Sequence, residues 1–374
     1  MGPSLRLSPR CSRSPRLKTS DFDYELPSDR IAQYPAVRRD SSRLLTLDRA
    51  TGAIAHYTFA ELPGLLRDGD LLIVNDTRVI PARLFARLGG ARGAREVEIL
   101  LLREEPAVPP ERIWSALARP ARALQPGVSL SFVDTAFTAT VTGTGERGVR
   151  HVMFRPTRDE GPPFETWLSR VGHVPLPPYI HRPDEPGDRE RYQTLFARDP
   201  GSVAAPTAGL HFTREVLDGL AARGIEVATV TLHVGPGTFR PVATEDPAEH
   251  MLDCEPYRIP TDTALAIEAK GRRGVGSQGG RVIAVGTTTV RALESWALDG
   301  RPQDGAWRET ALFVLPPFEF KVIEGLITNF HLPRSSLLML VSAFAGRERV
   351  LSAYGEAMRQ GYRFYSYGDA MLIS

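Results

Sequence analysis

The sequence predicts an α/β protein: a mostly parallel open sheet interrupted by an inserted unit of antiparallel strands, either a barrel or a sandwich. Three observations carry this. Between Asp70 and Arg155 the segments LLIVND, ARLFARL, EVEILLL, IWSALA, SLSF, FTATVTG and RHVMF follow one another, separated by turn residues and without a helical period. On both sides of that region strand-like and helix-like patterns alternate, as parallel α/β architecture requires. The 374 residues are enough for two domains. The expected division is a disordered basic tail over 1–18, an α/β domain from 19–69 and 156–374, and the inserted domain over 70–155.

Taken in order, Arg43–Asp48 reads as a short strand and Phe59–Leu66 as a brief helix interrupted at Pro63 and Gly64. After the strand-rich region, Phe164–Gly172 is helical, Pro175–Ile180 is stiff and His181–Arg191 is a charged loop. Arg214–Arg223 carries Val216, Leu217 and Leu220 on one helix face, and Gly224 is placed to end it in the left-handed conformation. Ile225–Val234, rich in β-branched residues, follows as a strand. Thr263–Lys270 is a helix and Gly271–Gly280 a flexible connector. Arg281–Val285 is a strand that enters GTTTV and the helix Arg291–Leu298. Ala311–Leu315, Phe320–Ile323 and the closing Tyr362–Tyr367 are strand candidates, and Leu337–Ala345 and Arg349–Arg359 are helices.

Composition excludes several classes. Hydrophobic residues at 42% and charged residues at 24% are ordinary for a soluble globular chain, and the net charge of +2 leaves any nucleic-acid surface to be local. Cys11 and Cys254, the only cysteines, suit a reducing compartment and give no metal framework. No apolar run approaches the ~20 residues of a membrane helix. The first 18 residues lack the apolar centre of a secretory signal.

The chemistry-bearing residues gather in a few loops. Pro206–Thr213 and His233–Phe239 each set a histidine beside glycines and threonines, and the intervening helix and strand bring both loops to one rim of a parallel sheet. His211 and His233 are therefore candidates for proton transfer, with loop bracing as the plain alternative. Thr207, Gly209, Gly235, Gly237, Thr238 and Phe239 are candidates to contact a substrate. Gly286–Thr289 follows a strand and opens a helix, a geometry able to hold a phosphate or carboxylate, with a ligand-free N-cap as the equal alternative; Thr287 and Thr288 join the candidates. This loop lacks the lysine of a nucleotide-hydrolysing loop. Asn329, His331 and Arg334 precede a buried helix, and Arg334 could pair with an anion. Asn75-Asp76-Thr77-Arg78 reads as an Asx turn at the entrance to the insertion. Glu255 lies in a cluster without metal spacing. Arg78, Arg83 and Arg87, with Arg182 and Arg191 near Tyr179 and Tyr192, could form a single-stranded RNA surface; a solvated face is the alternative.

Seven motifs in order resemble the S-adenosylmethionine:tRNA ribosyltransferase-isomerase family of queuosine biosynthesis: NDTRVIPAR, RYQTLFA, GSVAAPTAGLHFT, TLHVGPGTFRPV, AVGTTTVRALES, TNFHLPRSSLLMLVSAFAG and GYRFYSYGDAMLI. The resemblance runs from about Ser20 onward. It implies an α/β domain with an inserted β-barrel, in the cytoplasm, acting as a monomer without an obligate protein partner. It also implies transfer and isomerisation of the ribosyl part of S-adenosylmethionine onto 7-aminomethyl-7-deazaguanine at the tRNA wobble position. Epoxyqueuosine-tRNA forms, and adenine and methionine are released. S-Adenosylmethionine is then a cosubstrate, with no tightly bound cofactor and no metal. Under this resemblance His211, His233 and His331 are the proton-transfer candidates, in no fixed order, and Asp76 or Glu255 could balance the sulfonium. The family often has a second histidine where this chain has Asp253. A non-catalytic RNA binder and a methyltransferase are the competing classes; the latter would release S-adenosylhomocysteine.

Overall fold

The computed structural model describes residues 17–89, 95–235, 237, 241–271 and 280–374. Most of the predicted tail, residues 272–279 of the predicted connector Gly271–Gly280, and the candidates Thr238 and Phe239 lie outside these residues. The described chain is tied down from Thr19, whose N–H donates to the Glu245 carbonyl at 2.8 Å.

Strands β1 (Arg43–Leu47), β2 (Ile54–Thr58), β3 (Leu71–Asn75) and β4 (Thr77–Val79) come first. Strands β5 (Arg83–Leu88), β6 (Arg95–Glu105), β7 (Arg112–Arg119), β8 (Ser129–Ser131), β9 (Phe137–Thr144) and β10 (Arg150–Pro156) close into an antiparallel barrel in the order β10-β7-β6-β5-β8-β9. A short β11 (Asp199–Ser202) pairs with β4. Then follow β12 (Glu226–Leu232), β13 (Glu255–Arg258), β14 (Val282–Val285), β15 (Trp307–Thr310), β16 (Gly325–Asn329) and β17 (Ala370–Ile373). The large sheet has nine strands in the order β15-β13-β12-β3-β14-β16-β17-β1-β2. Its centre, β12-β3-β14-β16, is parallel, and the antiparallel pairings lie toward the margins. The protein is thus α/β, with a large, mostly parallel sheet and a closed barrel.

The central strands are apolar on both faces because helices cover both. Leu71 and Ile73 of β3 face a core built with Val290, Leu293 and Trp296 from the helix Thr287–Leu298 and with the buried helix Ser336–Ala345. Leu72 and Val74, one residue out of phase, pack under Phe212, Val216 and Leu220 of the helix Arg214–Ala222 and its approach. Thr213 caps that helix by accepting the Val216 N–H, and Gly224 ends it at φ 64°. The Ile225 N–H then donates to Leu220 in the left-handed closing motif.

Five expectations are corrected. Leu71–Asn75, placed by sequence in the insertion, is an interior strand of the large sheet, and the barrel begins at Arg83. A fully apolar strand bounded by turns reads alike in either setting. The helix Phe164–Val171, assigned to the α/β part, instead fills the barrel: Phe164 and Trp167 pack on Phe137 and Phe154. Phe320–Ile323 is not a strand, because the buried carboxylate of Glu294 takes the N–H groups of Lys321, Val322 and Ile323 that a ladder would need. Ala311–Leu315 is likewise irregular, and the true neighbours are β15 and β16. Tyr362–Tyr367 is a turn with Tyr365 at φ 72°, and the closing strand is β17. Strand β2 was not anticipated.

Candidate active site between sheet and barrel

A cleft of about 1270 Å³ separates the open end of the barrel from the C-terminal rim of the sheet. Leu102, Trp114 and His151 line it from the barrel; His233, Gly235 and Glu255 line it from the sheet. This is the rim where parallel α/β sheets bind ligands.

His233 leaves β12 into this cleft. The turn after β3 fixes it: Asn75 clamps the two strand ends together, donating to the Leu232 carbonyl at 2.9 Å and accepting the Thr77 N–H at 3.0 Å. Thr77 Oγ1 then lies 2.7 Å from His233 Nδ1. Nε2 has no hydrogen-bond partner among the described residues. The imidazole stacks on Trp307 with ring centres 5.0 Å apart. Partial burial lowers its pKa from the ordinary value, with Asp199 and Asp76 opposing the shift. The lowered pKa favours the uncharged ring at neutral pH, and in the tautomer that donates Nδ1–H to Thr77 its Nε2 is a proton acceptor. Its face lies against Gly201, where an added Cβ would come within 2.7 Å of Nε2. Gly201→Ala is therefore expected to displace the imidazole and cut turnover at least about tenfold with the fold intact; unchanged kinetics would show that the position of this ring is unimportant.

The two predicted carboxylates are both engaged. Asp76, 1% exposed, accepts Thr231 Oγ1 at 2.7 Å and pairs with Arg198 at 2.6 Å. Arg198 is itself 65% exposed and lines the cleft, so Asp76 presents a cation to it rather than an anion. Glu255 is buried, forms an ion pair with buried Arg291, and accepts the Gly235 N–H at 2.8 Å. It anchors the glycine loop, with its charge already balanced.

The other two histidines stand apart. His211 is buried, with Nδ1 on Ser42 Oγ at 2.7 Å and Nε2 on Asn329 Nδ2 at 3.1 Å. Asn329 in turn accepts Thr207 Oγ1 at 2.9 Å. His331 is buried with Nε2 2.7 Å from Thr328 Oγ1. His331, Thr207, Thr287, Thr288 and Asn329 line a second, small cavity of about 60 Å³ that shares Val234 of its lining with the large cleft. Burial pushes the pKa of both histidines down to about 3, for His211 with help from Arg363 and Arg39.

A pH dependence follows. Unfolded histidine titrates near ~6.5. The neutral folded state is therefore fully stable above that value and loses stability as pH falls toward about 3. Each histidine should contribute a slope of about 1.4 kcal/mol per pH unit in that window. Urea unfolding between pH 7.5 and 5 should show the slope, and His211→Asn should reduce it by about one such increment. An unaltered slope would mean that His211 is not buried neutral.

Of the remaining candidates, Gly209 packs its backbone against Thr194, and Gly237 lies against Asp253, each leaving no room for a Cβ. Arg334 pairs with Asp23 at 2.7 Å and lines neither cavity. Arg78 is exposed and lines the cleft, and Arg87 is exposed on the barrel. Arg83 pairs with Glu98 at 2.8 Å. Arg182 is held by Asp188 at 2.6 and 2.8 Å, and Arg191 donates to the Ala36 and Val37 carbonyls, so both brace loops. Sequence reasoning missed Trp307, Arg198, Arg258 and Arg291. Arg258 lies over the Trp307 ring at 5.0 Å and pairs with Asp199 at 2.9 Å. An isolated tryptophan in the polar strand WRET was the available signal. Among the described residues no group of three or more His, Cys, Asp or Glu could hold a metal ion, and no helix is long and apolar enough to cross a membrane.

The fold and the cleft define an α/β enzyme with a closed antiparallel barrel beside its sheet. A model of the family described as "Queuosine biosynthesis protein" matches residues 19–373. The chain belongs to that family. It is 55% identical over 357 residues to the S-adenosylmethionine:tRNA ribosyltransferase-isomerase of Gloeobacter violaceus, covering 95% of each chain. It is 51% identical over 354 residues to that of Citrifermentans bemidjiense, covering 95% of this chain and 99% of the relative. The crystal structure of an S-adenosylmethionine tRNA ribosyltransferase from Thermotoga maritima is 38% identical, with a TM-score of 0.52, covering 95% of this chain and all of the other.

Proposed function

We propose that this enzyme transfers and isomerises the ribosyl moiety of S-adenosylmethionine onto 7-aminomethyl-7-deazaguanine at the wobble position of tRNA. The product is epoxyqueuosine-tRNA, with adenine and methionine released. Carbon–nitrogen, ring-closing carbon–carbon and epoxide carbon–oxygen bonds form, and the carbon–sulfur, adenine–ribosyl and ribose C4′–O bonds break. The thioether leaves with the electron pair that neutralises its sulfonium, and adenine takes up a proton as it leaves.

The observation that carries this reading is His233: a neutral, oriented imidazole with a free Nε2 in a cleft walled by both sheet and barrel. The sulfonium acidifies the adjoining ribose carbon, and His233 Nε2 is the base that removes its proton. His211, with both nitrogens bonded to protein, is a brace. The cleft is wide enough for an extruded base, and Arg78 and Arg198 at its edge meet the anticodon phosphates. Trp307, 44% exposed beside His233, offers a stacking face. The enzyme acts in the cytoplasm as a monomer, with tRNA and S-adenosylmethionine as its partners and no tightly bound cofactor.

The test is incubation of the protein with S-adenosylmethionine and tRNA carrying 7-aminomethyl-7-deazaguanine, with mass spectrometry of small molecules and digested nucleosides. Adenine and methionine should appear together with epoxyqueuosine. S-Adenosylhomocysteine instead would mean a methyltransferase, and tRNA binding without turnover would mean a binding protein.

A further inference from the structure

The small cavity beside the cleft contains a helix end without its usual partners. The helix Thr287–Leu298 starts at Gly286, which sits at φ 93° and has no side chain to cap the first turn. The first N–H groups of a helix have no carbonyl partner of their own and need one from outside. Thr287, Thr288 and Thr289 are buried, which puts these donors out of reach of bulk water. The neighbouring helix shows what a satisfied end looks like: Ser335 caps Ser336–Ala345 by accepting the Leu338 N–H at 3.1 Å.

Two hydroxyls share the deficit. Thr289 Oγ1 turns back to the Val285 carbonyl at 2.7 Å, whereas buried Thr288 Oγ1 has no partner among the described residues. Tyr365 Oη is also buried and unpartnered, and both residues line the cavity. Tyr365 is held at φ 72°, a left-handed conformation that side-chain-bearing residues rarely adopt, and its ring packs on Tyr179 with centres 4.2 Å apart. Burial raises its phenol pKa, so it remains an O–H donor. None of the described residues lining the cavity is acidic.

We infer that the first turn of Thr287–Leu298, together with the Thr288 and Tyr365 hydroxyls, is a carboxylate subsite that takes the amino-acid end of S-adenosylmethionine. Converging N–H and O–H donors and the positive end of the helix meet the demand of a buried oxyanion. About 60 Å³ accommodates a carboxylate but not a phosphodiester with its sugars. Val234 lines both cavities, so a ligand anchored here extends toward His233 in the cleft. The inference rests on S-adenosylmethionine being the cosubstrate. An RNA phosphate offers the same oxyanion chemistry, and the experiment separates the two.

Calorimetric titration would compare S-adenosylmethionine with its decarboxylated analogue, which keeps the sulfonium and adenosine. Wild-type protein should bind the parent at least about tenfold more tightly than the analogue. Thr288→Val combined with Tyr365→Phe should remove most of that preference by weakening the parent alone, and Thr288→Ser should retain it. Equal wild-type affinities would overturn the subsite, as would equal losses for both ligands or a Thr288→Ser loss matching that of Thr288→Val. Weakened binding of inorganic phosphate or tRNA, with S-adenosylmethionine unaffected, would reassign the oxyanion to RNA and overturn it too. Wild-type protein that binds neither sulfonium compound would refute the cosubstrate reading itself.

Discussion

Replacing His233 with alanine is expected to lower turnover by about 10²–10⁴-fold, the usual contribution of a positioned general base. Affinities for tRNA and S-adenosylmethionine should stay within about threefold, since Thr77 is also held through its N–H by Asn75 when the ring is lost. The pH profile adds a second readout. The folded pKa of His233 is lowered, so the acid limb of the wild-type profile should fall below the ordinary histidine value of ~6.5. That limb should vanish from the residual activity of the variant. A variant that keeps full turnover would move the base elsewhere in the cleft and remove the central element of the proposed mechanism.

The second large effect is structural. Glu255 and Arg291 are paired in the protein interior, and Arg291 also donates to the Leu312 carbonyl at 3.0 Å. Removing one partner of such a pair leaves an uncompensated buried charge and typically costs 3–5 kcal/mol, or about that much. Arg291→Met alone should therefore lower unfolding stability by roughly 3–5 kcal/mol. Arg291→Met with Glu255→Leu should recover much of it, because both charges are then gone. The double variant would still lack the acceptor for the Gly235 N–H and should remain catalytically impaired despite recovered stability. Denaturant unfolding with parallel kinetics reads both; additive losses in stability would mean that the two residues are not coupled.

How much could be read beforehand follows from the range of the interactions. Local signals were legible: the Gly224 terminator and the face carrying Val216 and Leu220 belong to one helix and appear as expected. The rim position of His233 followed from loop order. What could not be read was set by partners far along the chain. Nothing local to Asp76 announces Arg198, and nothing local to Lys321–Ile323 announces the Glu294 carboxylate that takes its N–H groups. The equal appearance of His211, His233 and His331 in sequence hid their separation. One faces a cleft, one a small cavity, and one has both nitrogens occupied by Ser42 and Asn329.

Strand β3 lies in the interior of the large sheet, yet its partner in β12 is paired Glu226 to Leu71, 155 positions later in the chain. The barrel strands, by contrast, mostly pair with near neighbours in sequence. Closing long loops costs entropy before any contact repays it, so short-range pairings form first. During synthesis β3 must therefore wait, apolar on both faces, while the whole barrel is made and emerges. The barrel is therefore expected to fold first and the sheet to close around the waiting strand last. Pulsed hydrogen exchange during refolding should protect Ile99 and Val141 amides before Ile73 and Val230. The reverse order would show that the sheet nucleates across the insertion.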